Sequence, residues 1–170
     1  LAARATARPA GPATEGTMMT RIDLARTNKL GYAAVLGMEA YSRKSLDPRL
    51  SELIKLRASI LNGCGFCVDM HATEGARRAI PQRTLHAVGA WQHAKGFFEE
   101  RELAALALTD AITQLGPETV TDEIWNTAAQ HFDDGELGAL VLAICTINVW
   151  NRVAIATEMA PPIDDKHPIV

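Results

Sequence analysis

From about Thr20 to Ala160 the apolar residues return every three or four positions, and no stretch alternates cleanly between turn signals. A half-buried strand needs a period of two and a helix a period near 3.6, so this spacing restricts the chain to helices. No Asn-Gly hairpin joins two β-branched segments. The predicted fold is all-α, one domain over residues 20–160 with about six to eight helices. Leu30, Ala33, Ala34, Gly37, Met38 and Tyr41 make the first apolar stripe. Pro48, with Asp47 as cap, opens a second helix carrying Leu50, Leu53, Ile54, Leu56 and Ile60 and closed by Asn62-Gly63. A third runs from Gly63 or Cys64 to about Ala79, and Pro81 starts a short one. Leu103, Leu106, Ala107, Ala111 and Ile112 mark a long helix ended by Gly116-Pro117. Thr121 caps the next, which carries Ile124, Trp125 and Ala128. The last, from Gly135 to about Glu158 behind Asp133 or Asp134, is apolar nearly all round. It is expected at the centre of the fold or between subunits.

A chain of 170 residues suits one domain and needs neither disulfides nor metal merely to stay folded. Its net charge of −3 and lack of a long basic run speak against nucleic acid or an anionic membrane as partner. The longest apolar run, Leu137–Val149, is interrupted by Gly138, Thr146 and Asn148, short of a membrane span. Residues 1–19 have no apolar core of a secretory signal and read as a flexible or artificially added leader, less readily as a transit peptide. Residues 161–170, rich in proline, read as an extended tail. Three cysteines are too few for a disulfide framework, so the chain is expected in the cytoplasm with its thiols free for chemistry. No phosphate-binding glycine loop occurs, and no cofactor is expected.

The chemistry sits in Cys64-Gly65-Phe66-Cys67-Val68-Asp69-Met70-His71. On a helix, Cys64, Cys67 and His71 fall within an arc of roughly 60°. Cys64 is expected in the first turn, where unpaired N–H groups and the helix dipole favour a thiolate. His71, one turn beyond Cys67, can take or hold its proton. A nucleophile, a second thiol to resolve it and a base are the minimum for thiol–disulfide chemistry. The same residues also form a three-ligand zinc set lacking its fourth member, because His86, His93, His131 and His167 are scattered. A thioredoxin-like site is excluded, since it requires a βαβ setting.

Glu52-x-x-Lys55-x-Arg57 followed by Asn62-Gly63-Cys64-x-x-Cys67-x-x-x-His71 resembles the alkylhydroperoxidase AhpD-like branch of the carboxymuconolactone decarboxylase superfamily. Asn148-x-Trp150-Asn151-Arg152 fits the same group, and the resemblance spans roughly Asp23 to Ala160. It implies an all-helical fold, assembly as a trimer, hexamer or related ring, and a thiol-dependent hydroperoxide reductase with an antioxidant role. Cys67 is then the peroxidatic nucleophile, Cys64 the resolving thiol, His71 the group that helps deprotonate Cys67, and Glu52 the end of the relay. The implied partners are a hydroperoxide and a dithiol reductant or small redox protein. The chain departs from the best-known peroxidases at Phe66, where they carry histidine. That departure keeps a disulfide reductase or redox sensor open. The decarboxylase branch lacks the cysteine pair, which leaves lactone chemistry and a zinc-binding helical module as weaker alternatives.

Outside the motif, Cys145 is expected as a small buried residue, and Trp91, Trp125 and Trp150 as core or interface anchors. Lys55 and Arg57 are expected to pair with carboxylates of the motif helix. Asn148, Asn151 and Arg152 are expected to bond across helices or a subunit interface.

Overall fold

The computed structural model describes residues 21–162, which hold eight α-helices and no strand. They are α1 (Leu24–Thr27), α2 (Lys29–Ser45), α3 (Pro48–Asn62), α4 (Gly65–Arg77), α5 (Gln82–Ala87), α6 (Glu100–Thr113), α7 (Asp122–Ala129) and α8 (Asp134–Thr157). Two short 3-10 segments, Val88–His93 and Lys95–Phe97, join α5 to α6. The leader and nearly all of the C-terminal tail lie outside the described residues.

Helix α3 organises the molecule. Pro48 stands in its first turn and the Asp47 carboxylate accepts the Leu50 N–H at 2.9 Å, satisfying one of the orphan donors of the helix start. From Leu50 to Ser59 every residue is buried, because α4, α6 and α8 pack around it. Leu50 and Ile54 meet Leu108, Leu140 and Ile144 in the main core, while Leu53 and Leu56 meet Ile80, Leu85 and Val88 in a second one. Truncating a fully buried Leu or Ile here to Ala is expected to cost about 2–5 kcal/mol.

Burial so complete forces the charged residues of α3 to find partners. Lys55, 1 % exposed, donates to Glu39 of α2 at 2.6 Å. Arg57 forms a two-pronged pair with Asp110 of α6 at 2.6 and 2.8 Å and donates to the Gly89 carbonyl at 2.7 Å. Their carboxylates therefore come from α2 and α6, not from the motif helix as the sequence suggested. Side chains on a helix radiate outward, so a fully enclosed helix must pair with its neighbours.

Helix α8 starts with a reciprocal cap: Asp133 accepts the Glu136 N–H at 2.8 Å, and Glu136 accepts the Asp133 N–H at 3.3 Å. One side buries Leu137, Leu140, Ala143, Ile144 and Ile147 in the core. The other side leaves Leu142, Val149 and Ile155 exposed, and with them Cys145, which was expected to be buried. Cys145 lies three and four residues from Leu142 and Val149, on the same outward stripe. By length and composition α8 is apolar enough to cross a membrane, which the broken run Leu137–Val149 had not suggested; half of its most apolar stretch is buried inside the protein.

The stripe on α2 is a larger departure. Leu30, Ala33, Ala34, Gly37, Met38 and Tyr41 face outward, Leu30 being 88 % exposed, while Ser42 is buried and Tyr32, Val35 and Glu39 are partly covered. Glu39 is drawn inward by the buried Lys55 ammonium, and this sets the rotation of the helix. The outward residues Ala34, Gly37, Met38 and Tyr41 line a groove of about 400 Å³ together with Leu142. Of the tryptophans, Trp91 is buried and donates to Asp110 at 3.1 Å, Trp150 stacks edge-on against Tyr32 at 5.1 Å, and Trp125 is 42 % exposed.

Candidate functional site

The turn between α3 and α4 creates the site. Gly63 adopts φ +69°, a left-handed conformation that L side chains rarely take, and its N–H returns to Ile60. The Cys64 N–H closes on the Ser59 carbonyl at 3.0 Å. The chain thus folds back at once into α4, and the resulting helical hairpin places Glu52 opposite His71.

Cys64 is not in the first turn but one position earlier, as the N-cap. Its sulfur accepts the Cys67 N–H at 3.3 Å, the place usually held by a Ser or Asp oxygen. Both thiols are free and each is 1 % exposed. With Ala154 of α8 they form a small cluster of their own, covered by Phe66 and Met159. Phe66, which stands where histidine was the comparison, therefore packs over the thiols as an apolar cover. Burial pushes the Cys67 thiol up to about 12; Cys64 beside it adds to the rise, and the Asn151 carboxamide opposes it. Burial thus favours the neutral thiol at Cys67.

His71, 4 % exposed, meets Glu52, 6 % exposed, through Nδ1 and Oε2 at 2.8 Å. Arg78 adds a contact to the other carboxylate oxygen at 3.3 Å and reaches Glu74 at 3.2 Å. Burial raises the Glu52 carboxyl, but the His71 hydrogen bond and charge, with Lys55 and Arg78, hold it below the usual carboxylate value. An ionised carboxylate only accepts, so Nδ1 of His71 carries a proton toward Glu52 and Nε2 is the ring nitrogen left over. Nε2 is buried and has no hydrogen-bond partner. No hydrogen bond joins His71 to either thiol among the described residues, so the relay expected from Glu52 through His71 to Cys67 is built at one end and open at the other.

Behind the thiols lies a buried amide network. Asn62 at the end of α3 donates to Asn148 and to Asn151 of α8, both at 2.9 Å. Asn151 donates to Ser59 at 3.0 Å, and Asn148 donates to Thr113 at 3.0 Å. Arg152 donates to the Asn148 side chain at 2.8 Å. The expected cross-helix role is met within one chain for Asn148 and Asn151, whereas Arg152 bonds along α8 to Asn148 alone. Asn62 belongs to the motif, whereas Ser59 and Arg78 join the site from outside it. Arg78 falls seven residues after His71, two turns along the same face, and that spacing was the available signal.

Among the described residues no three His, Cys, Asp or Glu side chains converge as a metal ion requires, so Cys64, Cys67 and His71 do not form the zinc set considered from their spacing. A shallow cavity of about 320 Å³, lined by Trp91, Asp110, Gln114 and Ile124 among others, lies away from the thiols.

The model of the Carboxymuconolactone decarboxylase family matches residues 30–111. The chain is 36 % identical over 127 residues to the uncharacterised protein YdfG of Bacillus subtilis (strain 168), covering 74 % of this chain and 86 % of that one. The crystal structure of an Agrobacterium tumefaciens protein of unknown function, assigned there to antioxidant defence as AhpD, superposes with a TM-score of 0.81 at 36 % identity, covering 85 % of this chain and 99 % of that one. The debrominase Bmp8 shares the fold at a TM-score of 0.70 and 20 % identity, over 80 % or slightly less of this chain and 72 % of that one. The residues matched by the family model include the whole helical hairpin of α3 and α4 with its cysteine pair. The chain belongs to the carboxymuconolactone decarboxylase family, in its AhpD-like branch.

Proposed function

We propose that the chain is a thiol-dependent hydroperoxide reductase acting through Cys67 and Cys64. The observation that carries this reading is the buried Glu52–His71 pair, whose unpartnered Nε2 lies one helical turn from a cysteine pair with both thiols free. As a hydroperoxide enters, the Cys67 proton passes to Nε2 and the sulfur attacks the terminal peroxide oxygen. The O–O bond breaks, the alkoxide takes the proton back from His71 as an alcohol, and Cys67 is left as a sulfenic acid. The Cys64 thiol then attacks the Cys67 sulfur and water leaves, forming the disulfide. A dithiol or small redox protein of a reducing, cytoplasmic compartment returns both thiols and is itself oxidised to a disulfide. Glu52 holds the His71 tautomer and stabilises the imidazolium, and Arg78 holds Glu52.

The AhpD-like membership and the relative assigned to antioxidant defence support this reading. Purified protein with dithiothreitol is expected to consume cumene hydroperoxide, and Cys67→Ser to abolish the reaction. Consumption that survives Cys67→Ser would falsify the assignment.

Phe66 favours a second reading. An apolar ring packed on the thiols replaces a side chain able to move protons, which suits a disulfide reductase or redox sensor with slow peroxide turnover. Rates on cumene hydroperoxide and on a small model disulfide, measured side by side, choose between the two.

A further inference from the structure

We propose that Met159, on the short segment that leaves the end of α8, is the gate through which Cys64 and Cys67 are reached. The inference rests on the reading of the two thiols as the reacting groups, and it adds the route by which a substrate or reductant comes to them.

Each thiol is 1 % exposed, so neither a hydroperoxide nor a dithiol touches sulfur until part of the surrounding wall moves. Three parts of that wall are anchored. Phe66 rides on α4, and α4 is fixed by Val68 and Ala72 in the second core and by His71 on Glu52. Ala154 sits on α8 one turn past Asn151, which is bonded to Asn62 and Ser59 of α3. The turn into α4 is tied by the Cys64 N–H on the Ser59 carbonyl at 3.0 Å. Met159 packs on the same cluster from beyond the helix end.

Its hold is weaker than theirs. Helix α8 ends at Glu158 in a left-handed conformation, φ +57°, which disfavours a residue bearing a side chain. The Met159 N–H closes on the Ala154 carbonyl at 2.9 Å and the Glu158 N–H on the Ile155 carbonyl at 3.2 Å. This turn brings Met159 back onto the cluster that Ala154 shares with the thiols. The other ties come from Arg21. Its N–H donates to the Thr157 carbonyl at 2.7 Å, and its guanidinium pairs with the Glu158 carboxylate. Both side chains of that pair are more than half exposed, so it is weak and screened by salt. Pro161 and Pro162 follow, and neither has an N–H to add a backbone bond. Met159 therefore swings away by undoing one helix-end turn and one exposed ion pair, while α3, α4 and the body of α8 stay in place. An unbranched, half-buried methionine suits a cover that must lift and reseat.

The test uses Cys145→Ser protein, which lacks the exposed third thiol, with alkylation of Cys64 and Cys67 followed by mass spectrometry at mildly alkaline pH. Iodoacetamide is the small reagent and a pyrene maleimide the bulky one. Stripping a half-buried methionine to alanine removes enough apolar contact to shift the balance of closed and open forms about tenfold. Met159→Ala is therefore expected to react about tenfold faster with iodoacetamide, and to gain more with the maleimide. Arg21→Ala removes an exposed side chain and leaves the cover in place; it is expected to speed alkylation about two- to fivefold, as is high salt on the parent. Amide exchange at Leu53 and Ile144, buried in the two cores, is expected to stay at the parent rate. Alkylation of folded Met159→Ala within about twofold of the parent overturns the gate. So does an equal gain with both reagents, which marks a more acidic thiol, or core amides quickened by the same factor, which marks unfolding. For a Met159→Ala protein that does not fold, unchanged rates in Arg21→Ala and in high salt overturn it. Alkylation does not involve peroxide. Gated thiols that are inert to hydroperoxides refute the peroxidase reading and leave this one standing.

Discussion

Replacing His71 by Gln probes the open end of the relay. Glutamine keeps a donor for Glu52 and a similar volume, and removes the ring nitrogen that has no partner in the resting site. The magnitude follows from Cys67, whose buried thiol is pushed up to about 12. At pH 7.5 such a thiol is almost wholly protonated, so forming the thiolate is an uphill step. A positioned general base supplies about 10²–10⁴-fold toward that step. Hydroperoxide consumption by His71→Gln at pH 7.5, with dithiothreitol as donor, is therefore expected to fall about 100- to 10,000-fold. Without the base the variant must wait for hydroxide, so its rate climbs about tenfold per pH unit through pH 9.5. The parent, drawing on His71, climbs less steeply, and the deficit narrows as pH rises. A variant that loses less than threefold at pH 7.5, or that runs parallel to the parent at every pH, refutes the role of His71 as base.

Other consequences concern stability and assembly. Glu52 titrates below its ordinary value when folded, so its contribution is present above the unfolded pKa and disappears as pH falls through the folded one. Glu52→Gln is expected to unfold in urea about 1.5–3 kcal/mol more easily than the parent at pH 7, with the gap closing below pH 4; a gap that widens in acid contradicts the pairing. Lys55→Met strands the partly buried Glu39 with Arg43 alone and is expected to cost about 3 kcal/mol. Adding Glu39→Met should recover much of that loss, and an equally unstable double variant would mean the ion pair is not the cause. The outward face of Met38, Tyr41 and Leu142 is expected to close against further copies of the chain. Light scattering should then show a trimer or hexamer that Tyr41→Glu/Leu142→Glu splits, whereas a parent that stays monomeric at micromolar concentration rules this out.

How much of this site the sequence disclosed depended on sequence distance. Cys64, Cys67 and His71 lie within eight residues of one helix, so helical geometry alone brings them to one face. Glu52 precedes His71 by nineteen residues, and its spacing on α3 looks like that of any solvated first-turn carboxylate. Only the resemblance singled it out, and only the hairpin at Gly63 puts it 2.8 Å from Nδ1. Asn151 and Ser59 are ninety-two residues apart, and nothing in the pattern of either helix links them before α8 lies against α3. The apolar stripe of α2 was legible as a stripe, but not in its direction. Periodicity marks a face that avoids water without saying whether its own chain or another covers it, and the buried Lys55 decided the matter by drawing Glu39 inward. Cys145 was misplaced for the same reason, lying on the outward stripe of a helix that is apolar almost all round.

By itself, then, the sequence determined what depends on neighbours along the chain: helices from the period of apolar residues, their ends at Asp47, Gly63 and Asp133, and a paired thiol with a histidine one turn away. Tertiary structure decided what depends on neighbours in space: the burial that raises Cys67, the carboxylate that orients His71, and the amide network behind the thiols. Hydrogen bonds and desolvation act over a few ångströms in any direction, and a helical pattern specifies one face at a time. The surroundings of the thiol pair are set where α3, α4 and α8 meet.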